Sequence, residues 1–125
     1  MTIPDTLQYT KGHEWIEIEN GVATIGITDY AQGELGDIIF IEFPNIGACF
    51  NVGDSIATIE AVKTVADLFT PLTGEISEIN LKLEDEPGAI NKDPYESGWI
   101  IKLKNITNQG KSQLLTASEY KKYIN

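Results

Sequence analysis

Short runs of alternating apolar and polar residues make up most of the chain. Residues 15–19 alternate apolar and acidic side chains, and Asn20-Gly21 separates them from a second run at 22–27. This arrangement is typical of a two-residue β-hairpin. Further β-rich runs, separated by Gly, Pro, Asn and Asp, occur at 37–43, 55–60, 65–69, 74–79 and 99–103. Seven short strands at this spacing predict a small sandwich or flattened barrel.

Helical signals are fewer than strand signals. Residues 28–35 predict one or two turns that Gly33 interrupts, and residues 81–86 are compatible with a helical turn or a loop. The clearest helix is C-terminal, where Thr116 and Glu119 have the spacing of a capping box. We therefore expect short helices beside the sheets and one helix at the end of the chain.

Length and composition support one compact unit. The chain has 125 residues, 42% of them hydrophobic and 22% charged, which is close to the usual globular mixture. We expect a single domain over residues 1–125, with its core in about 1–104 and its last helix at about 116–124. The predicted fold class is mainly β, a flattened barrel or sandwich of two antiparallel sheets.

The charge balance excludes several classes of protein. Nineteen Asp and Glu stand against nine Lys and no Arg, giving a formal net charge of -10. Such a field repels nucleic acids and anionic membrane surfaces. No run approaches the roughly 18 apolar residues of a membrane-spanning helix, and the N-terminal residues lack the features of an export signal. We expect a soluble, cytoplasmic protein.

Residues suited to metal binding or catalysis are sparse. Cys49 is the only cysteine and His13 the only histidine, so neither a disulfide nor a structural zinc site is expected. Cys49 lacks a basic neighbour and is interpreted as a small apolar filler, and His13 as a structural or surface residue. There is no nucleophile and base pair and no phosphate-binding loop, which argues against an enzyme.

The segment between the fourth and fifth predicted strands breaks the local rules. The chain must reverse direction between residues 60 and 65, yet no Gly, Asn, Asp or Pro occurs there. Val62 beside Lys63 at an exposed tip gains no packing, and such violations tend to lie at functional sites. A lysine on a rigid hairpin suits a modifying enzyme. The residues alone also allow an ordinary surface lysine in a continuous strand.

The segment Glu60-Ala61-Val62-Lys63-Thr64, with Asp67 following, resembles the lipoyl attachment segment of the glycine cleavage system H protein family, whose usual form is Glu-Ser-Val-Lys-Ala. Other blocks follow the family order over nearly the whole chain: 13–15, 26–32, 35–37, 71–75, 91–95 and 98–99. Together these blocks are specific, although each alone is weak.

This resemblance implies a carrier with a lipoyl-domain fold. Lipoate would be joined by an amide to Lys63, and a lipoyl ligase or a lipoyl/octanoyl transferase would attach it. The arm would take an aminomethyl group from a pyridoxal-phosphate glycine decarboxylase (P protein) to a tetrahydrofolate-dependent aminomethyltransferase (T protein). Dihydrolipoyl dehydrogenase (L protein) would reoxidise it. The chemistry belongs to the cofactor, so the chain itself would not be an enzyme.

The resemblance also implies a set of cofactor-binding residues. Glu14 and Asp67 match acidic positions that the family uses near the carried amine, and Glu60 and Val62 belong to the attachment segment around Lys63. The chain departs from the usual pattern at two cleft positions. Gly12 stands where many relatives have a hydroxyl residue, and Glu34 where many have histidine. We hypothesise that Glu34 replaces part of the lost polar contact by attracting the same amine.

Three other functions stay open at this point. A lipoate relay that lipoylates 2-oxo acid dehydrogenases would use the same lysine. A biotin carrier uses a similar hairpin, but it flanks its lysine with methionines where this chain has Val62 and Thr64. A binding module without modification would not need Lys63.

Overall fold

The computed structural model describes residues 1–125 and contains nine β-strands, four α-helices and one 3-10 helix. The strands are β1 (Gln8–Tyr9), β2 (Glu14–Glu19), β3 (Val22–Ile27), β4 (Ile38–Glu42), β5 (Cys49–Phe50), β6 (Ser55–Ala61), β7 (Val65–Phe69), β8 (Gly74–Ile79) and β9 (Ile101–Lys104). The α-helices are α1 (Asp29–Leu35), α2 (Lys82–Asp85), α3 (Ala89–Lys92) and α4 (Ala117–Ile124), and the 3-10 helix is Lys111–Gln113. No helix has the length and hydropathy needed to span a bilayer.

The strands form two antiparallel sheets. One has six strands in the order β1-β2-β3-β9-β8-β5, and the other has three in the order β4-β6-β7. Seventeen buried hydrophobic residues from both sheets and from α2 and α3 form the main core. The predicted layout of two antiparallel sheets with short helices and a C-terminal helix is thus what the structure contains.

The elements differ from the predicted ones mainly at their ends. β9 begins at Ile101 rather than 99, because the Trp99 carbonyl accepts a hydrogen bond from the Asn80 side chain at 2.8 Å. Helix α1 continues through Gly33 to Leu35 without the expected interruption. The two-residue strands β1 and β5 and the single turn α3 were not predicted, since segments this short show no periodicity.

The local turn and cap signals are confirmed. Asn20 and Gly21 have φ values of 52° and 78°, which are the two positive φ angles that a type I′ hairpin requires. At α4, the Glu119 amide donates to the Thr116 hydroxyl oxygen at 3.2 Å, and the Thr116 amide donates to the Glu119 carboxylate at 2.9 Å. These two hydrogen bonds form the predicted capping box.

Helix α4 is fastened to the rest of the molecule through Tyr120. Its ring stacks on Tyr9 with the centroids 4.8 Å apart, and its hydroxyl lies 2.7 Å from Thr28 Oγ1 and 2.9 Å from His13 Nδ1. Burial lowers the pKa of His13, and the charge of the neighbouring Glu34 opposes that shift. His13 therefore has a structural role here, as its interpretation anticipated.

The interpretation of Cys49 as an apolar core filler needs correction. Cys49 is exposed on the short strand β5, so it does not fill the core. Trp15 is buried and donates from Nε1 to the Pro94 carbonyl at 2.9 Å, whereas Trp99 is only half-buried and lines a surface cavity. Only Trp15 therefore anchors the interior.

Candidate functional site

Lys63 lies at the tip of the hairpin that joins β6 to β7. The last paired residues are Glu60 and Val65, and the Ala61 amide donates to the Thr64 carbonyl at 2.8 Å. Val62 and Lys63 are exposed, and neither has a positive φ, so this turn does not need Gly or Asn. The predicted reversal is confirmed, and the alternative of a continuous strand is wrong.

The hairpin tip is held in place by the chain ahead of β4. The Val62 amide donates to the Asp37 carbonyl at 3.0 Å, outside the pairing of β6 with β7. Neither of the two ion pairs in the structure involves Lys63. The backbone of the tip is thus fixed while the lysine side chain stays free to react.

Glu14 begins β2 and is a buried carboxylate, 6% exposed. The Thr10 hydroxyl donates to its carboxylate, and the Glu14 amide donates to Thr10 Oγ1 at 3.1 Å. Burial raises the pKa of Glu14, and the Thr10 hydrogen bond partly offsets that rise. A Cβ at Gly12 would lie 3.0 Å from the Glu14 carboxylate, so a hydroxyl residue there would contact it. In this chain the carboxylate relies on Thr10 instead.

Glu14 lines a cavity of about 200 Å³. The wall comes from four separate segments of the chain and consists of Thr10, Lys11, Glu14, Val52, Gly53, Phe69, Thr70, Pro71, Gly110, Gln113 and Leu114. Phe69 is the last residue of β7, so this strand runs from the Lys63 tip to the cavity. Thr70 is buried there and donates its hydroxyl to the Leu72 carbonyl at 2.6 Å. Sequence reasoning missed Thr70 and the wall at 110–114, for which no local signal exists.

The other acidic candidates lie apart from this cavity. Asp67 is exposed on β7 between Val65 and Phe69, and its carboxylate accepts a hydrogen bond from the Ser55 hydroxyl at 3.0 Å. It therefore lies between the tip and the cavity, not in the cavity wall. Glu34 is exposed on α1 close to His13, so the structure does not bring it to the cavity either.

Comparison with known proteins decides the family. The family model described as Glycine cleavage H-protein matches residues 7–125. The chain belongs to this family. It is 49% identical over 125 residues to the glycine cleavage system H protein of Bacteroides thetaiotaomicron, covering 100% of this chain and 99% of the relative. It is 46% identical over 124 residues to that of Listeria monocytogenes, covering 99% of each.

A solved structure of the family confirms the fold. The crystal structure of a glycine cleavage system H protein from Mycobacterium marinum has a TM-score of 0.85 and 38% sequence identity, and the match covers 94% of this chain and 95% of that one. The mainly β, lipoyl-domain-like fold is therefore confirmed. The glycine cleavage H-protein family is a family of lipoyl carriers, so the chain has a carrier role in the glycine cleavage system.

Gly110 shapes the cavity wall of this family member. Its φ is +90°, and a Cβ there would lie 2.1 Å from the Pro71 carbonyl oxygen, so any side chain forces the wall apart. We expect Gly110→Ala to lower the free energy of unfolding by about 2 kcal/mol or more, measured by urea denaturation.

Gly33→Ala is the matched control for this substitution. Gly33 lies in α1 with nothing within 4 Å of an added Cβ, so this change should stabilise the protein by roughly 0.5–1 kcal/mol. Equal denaturation midpoints for the Gly110→Ala protein and the wild type would contradict the close approach to Pro71.

Proposed function

We propose that Lys63 carries lipoate in amide linkage and that the chain delivers this arm to the partner enzymes of the glycine cleavage system. The supporting observation is an exposed lysine on a fixed hairpin tip, from which β7 leads to a cavity that contains one buried carboxylate. The partners in this proposal are the P, T and L proteins and the ligase or transferase that attaches the cofactor.

The residues present fit a lipoyl arm. Bound lipoate supplies the redox and group-carrying chemistry through its two sulfur atoms. Acylation removes the charge of Lys63, so the modified side chain becomes a long apolar tether. Val65 and Phe69 are exposed along β7, where they offer apolar surface to such a tether on its way to the cavity.

The cavity also fits a protonated amine at the end of the arm. Val52, Phe69, Pro71 and Leu114 give it apolar walls. Glu14 is the only carboxylate among its lining residues, and it would form a charge-assisted hydrogen bond to an ammonium group. The cation would in turn stabilise the ionised form of Glu14, which burial disfavours. Asp67 would meet the arm before the cavity, and Glu60 and Val62 would border its attachment point.

Peptide mapping of the acylated protein tests this proposal. Lys63 is the only lysine between Lys11 and Lys82, and trypsin does not cut after an acylated lysine. After incubation with lipoate, ATP and a lipoate–protein ligase, we expect one lipoyl increment by intact mass. Digestion should then give an uncut peptide 12–82 that carries the increment. An increment on any of the other eight lysines, a biotin increment in a parallel reaction with a biotin ligase, or no increment would refute the assignment.

A further inference from the structure

A second cavity, which we call the β8–α2 cavity, opens between the end of β8, helix α2 and the segment before β9. Its volume is about 770 Å³, which is within the usual range of small-molecule sites. It shares no wall residue with the cavity around Glu14, and Lys63 is not in its wall. The proposed function therefore gives this cavity no role.

Three carboxylates border the β8–α2 cavity without a cationic partner. Glu78 lies on β8, and Asp85 and Glu86 lie at the end of α2. Neither of the two ion pairs in the structure involves any of them. Lys82 is the only cationic residue in the wall, so three carboxylates against one ammonium group leave an excess of two negative charges. The cavity therefore attracts cations.

A buried hydrogen-bond acceptor faces the same cavity. Asn80 is 5% exposed and belongs to the wall. Its Nδ2 atom donates to the Ser97 carbonyl at 2.9 Å and to the Trp99 carbonyl at 2.8 Å, whereas its Oδ1 atom accepts no hydrogen bond from the chain. No enclosed side-chain polar atom of the structure lacks a partner, so this oxygen is open to the cavity. It is available to an N–H donor of a ligand.

The rest of the wall suits an alkyl chain. Ile79, Leu81, Ala89 and Trp99 supply apolar surface beside the carboxylates. Lys102, outside the wall, places its Nζ atom 5.0 Å from the centroid of the Trp99 ring, so this surface already accepts an alkylammonium group. The acidic side chains form no group that could hold a metal ion. Their spacing therefore favours an extended cation over a compact one.

We propose that the β8–α2 cavity binds a linear polyamine, a methylene chain with an ammonium group at each end. Two such charges match the excess of two carboxylates. The N–H groups can donate to the carboxylates and to Asn80 Oδ1, and the methylene groups can contact the apolar wall. A single lysine or arginine side chain of another protein would leave half of the excess charge unmatched. This inference is independent of the proposed function, because the two use different residues.

Isothermal titration of the protein with putrescine at low ionic strength tests the inference. n-Butylamine is the matched probe with the same carbon chain and one ammonium group, and Mg²⁺ is a compact ion with the charge of putrescine. We expect one putrescine per chain, with a Kd about fivefold or more below that of either comparison cation. Putrescine should also change the fluorescence of the wild type but not of Trp99→Phe, since Trp15 is buried outside the wall.

Two double variants separate this site from general attraction to an acidic protein. Asp85→Asn/Glu86→Gln removes two carboxylates of the wall and should raise the Kd of putrescine about fivefold or more. Glu84→Gln/Glu96→Gln is the matched control, because it removes two negative charges at exposed residues outside the wall. This control should keep the wild-type Kd. Circular dichroism establishes that both variants are folded.

Four results would overturn the inference. Equal losses of affinity in the two double variants would show that putrescine only follows the net charge of -10. Equal Kd values for putrescine and n-butylamine would show that one ammonium group is enough, as in a lysine side chain of a partner protein. Tighter binding of Mg²⁺, or no saturable binding of putrescine, would remove polyamines as the ligand class. None of these results bears on acylation of Lys63, which peptide mapping tests separately.

Discussion

Replacing Lys63 with arginine is expected to leave a folded protein without any carrier activity. The guanidinium group stays protonated and is not acylated, so no arm forms. Lys63 is exposed and makes no ion pair, and we expect the free energy of unfolding to change by less than about 0.5 kcal/mol. The measurement is glycine-dependent NADH formation with P, T and L proteins, tetrahydrofolate and NAD, after treatment with ligase, lipoate and ATP.

Lys92→Arg is the matched control for this experiment. Lys92 is exposed at the end of α3, outside the β6–β7 hairpin, and takes part in neither ion pair, so its replacement makes the same chemical change at a different exposed lysine. This control should keep wild-type activity. Glycine-dependent turnover by the Lys63→Arg protein would show that the arm is attached elsewhere or that no arm is needed.

Replacing Glu14 with glutamine is expected to stabilise the fold and to weaken protection of the loaded arm. Burial raises the pKa of Glu14 above its value in the unfolded chain. The stability that this group contributes is therefore fully present below about pH 4.5 and is lost as the pH rises through the folded-state pKa. At pH 7 the ionised, buried carboxylate lowers the free energy of unfolding. A neutral amide at this position removes that penalty and still accepts the Thr10 hydrogen bond.

The stability effect of Glu14→Gln has a defined pH profile. We expect the free energy of unfolding of the Glu14→Gln protein at pH 7 to be roughly 1 kcal/mol higher than that of the wild type, which corresponds to a rise of a few degrees in Tm. The gain should shrink as the pH falls through the folded-state pKa and should be largely gone below about 4.5, because the wild-type carboxyl group is then neutral as well. A gain that stayed constant from pH 4 to pH 7 would contradict a charge-based cause.

The functional effect of Glu14→Gln has the opposite sign. Loss of one charge-assisted hydrogen bond to an ammonium should shorten the lifetime of the loaded protein about tenfold. Release of ammonia and formaldehyde from the loaded protein measures that lifetime. Glu17→Gln makes the same substitution at an exposed position of the same strand and should alter neither property. An unchanged lifetime for Glu14→Gln would remove Glu14 from the proposed binding set.

Local signals made part of this architecture predictable. Asn20-Gly21 specifies a turn, and Thr116 with Glu119 specifies a helix start, because each signal acts within four residues. The hairpin at Lys63 was predictable from the strands on either side, although its turn residues are unusual. The absence of the usual turn residues marked Lys63 as a candidate site, and the family resemblance then implied which group the lysine carries.

The cavity around Glu14 depends on contacts that no local pattern shows. Its wall combines residues from four segments of the chain. Gly110, for example, lies close to Pro71, which is 39 positions earlier in the sequence. The family resemblance implied that both Glu14 and Asp67 lie near the carried amine. The structure separates them, with one buried in the cavity and the other exposed on β7. The exposure of Cys49 was missed for the same reason, since strand β5 is too short to show a pattern.

The hydrogen bond from Val62 to Asp37 has a kinetic consequence for a carrier. Under the proposed function, one arm attached at this fixed tip serves a single partner at a time, so the partners compete rather than assemble around it. Throughput then depends on how quickly each partner dissociates. A mutation that tightened any one complex would slow the whole cycle, because the arm would be withheld from the next enzyme.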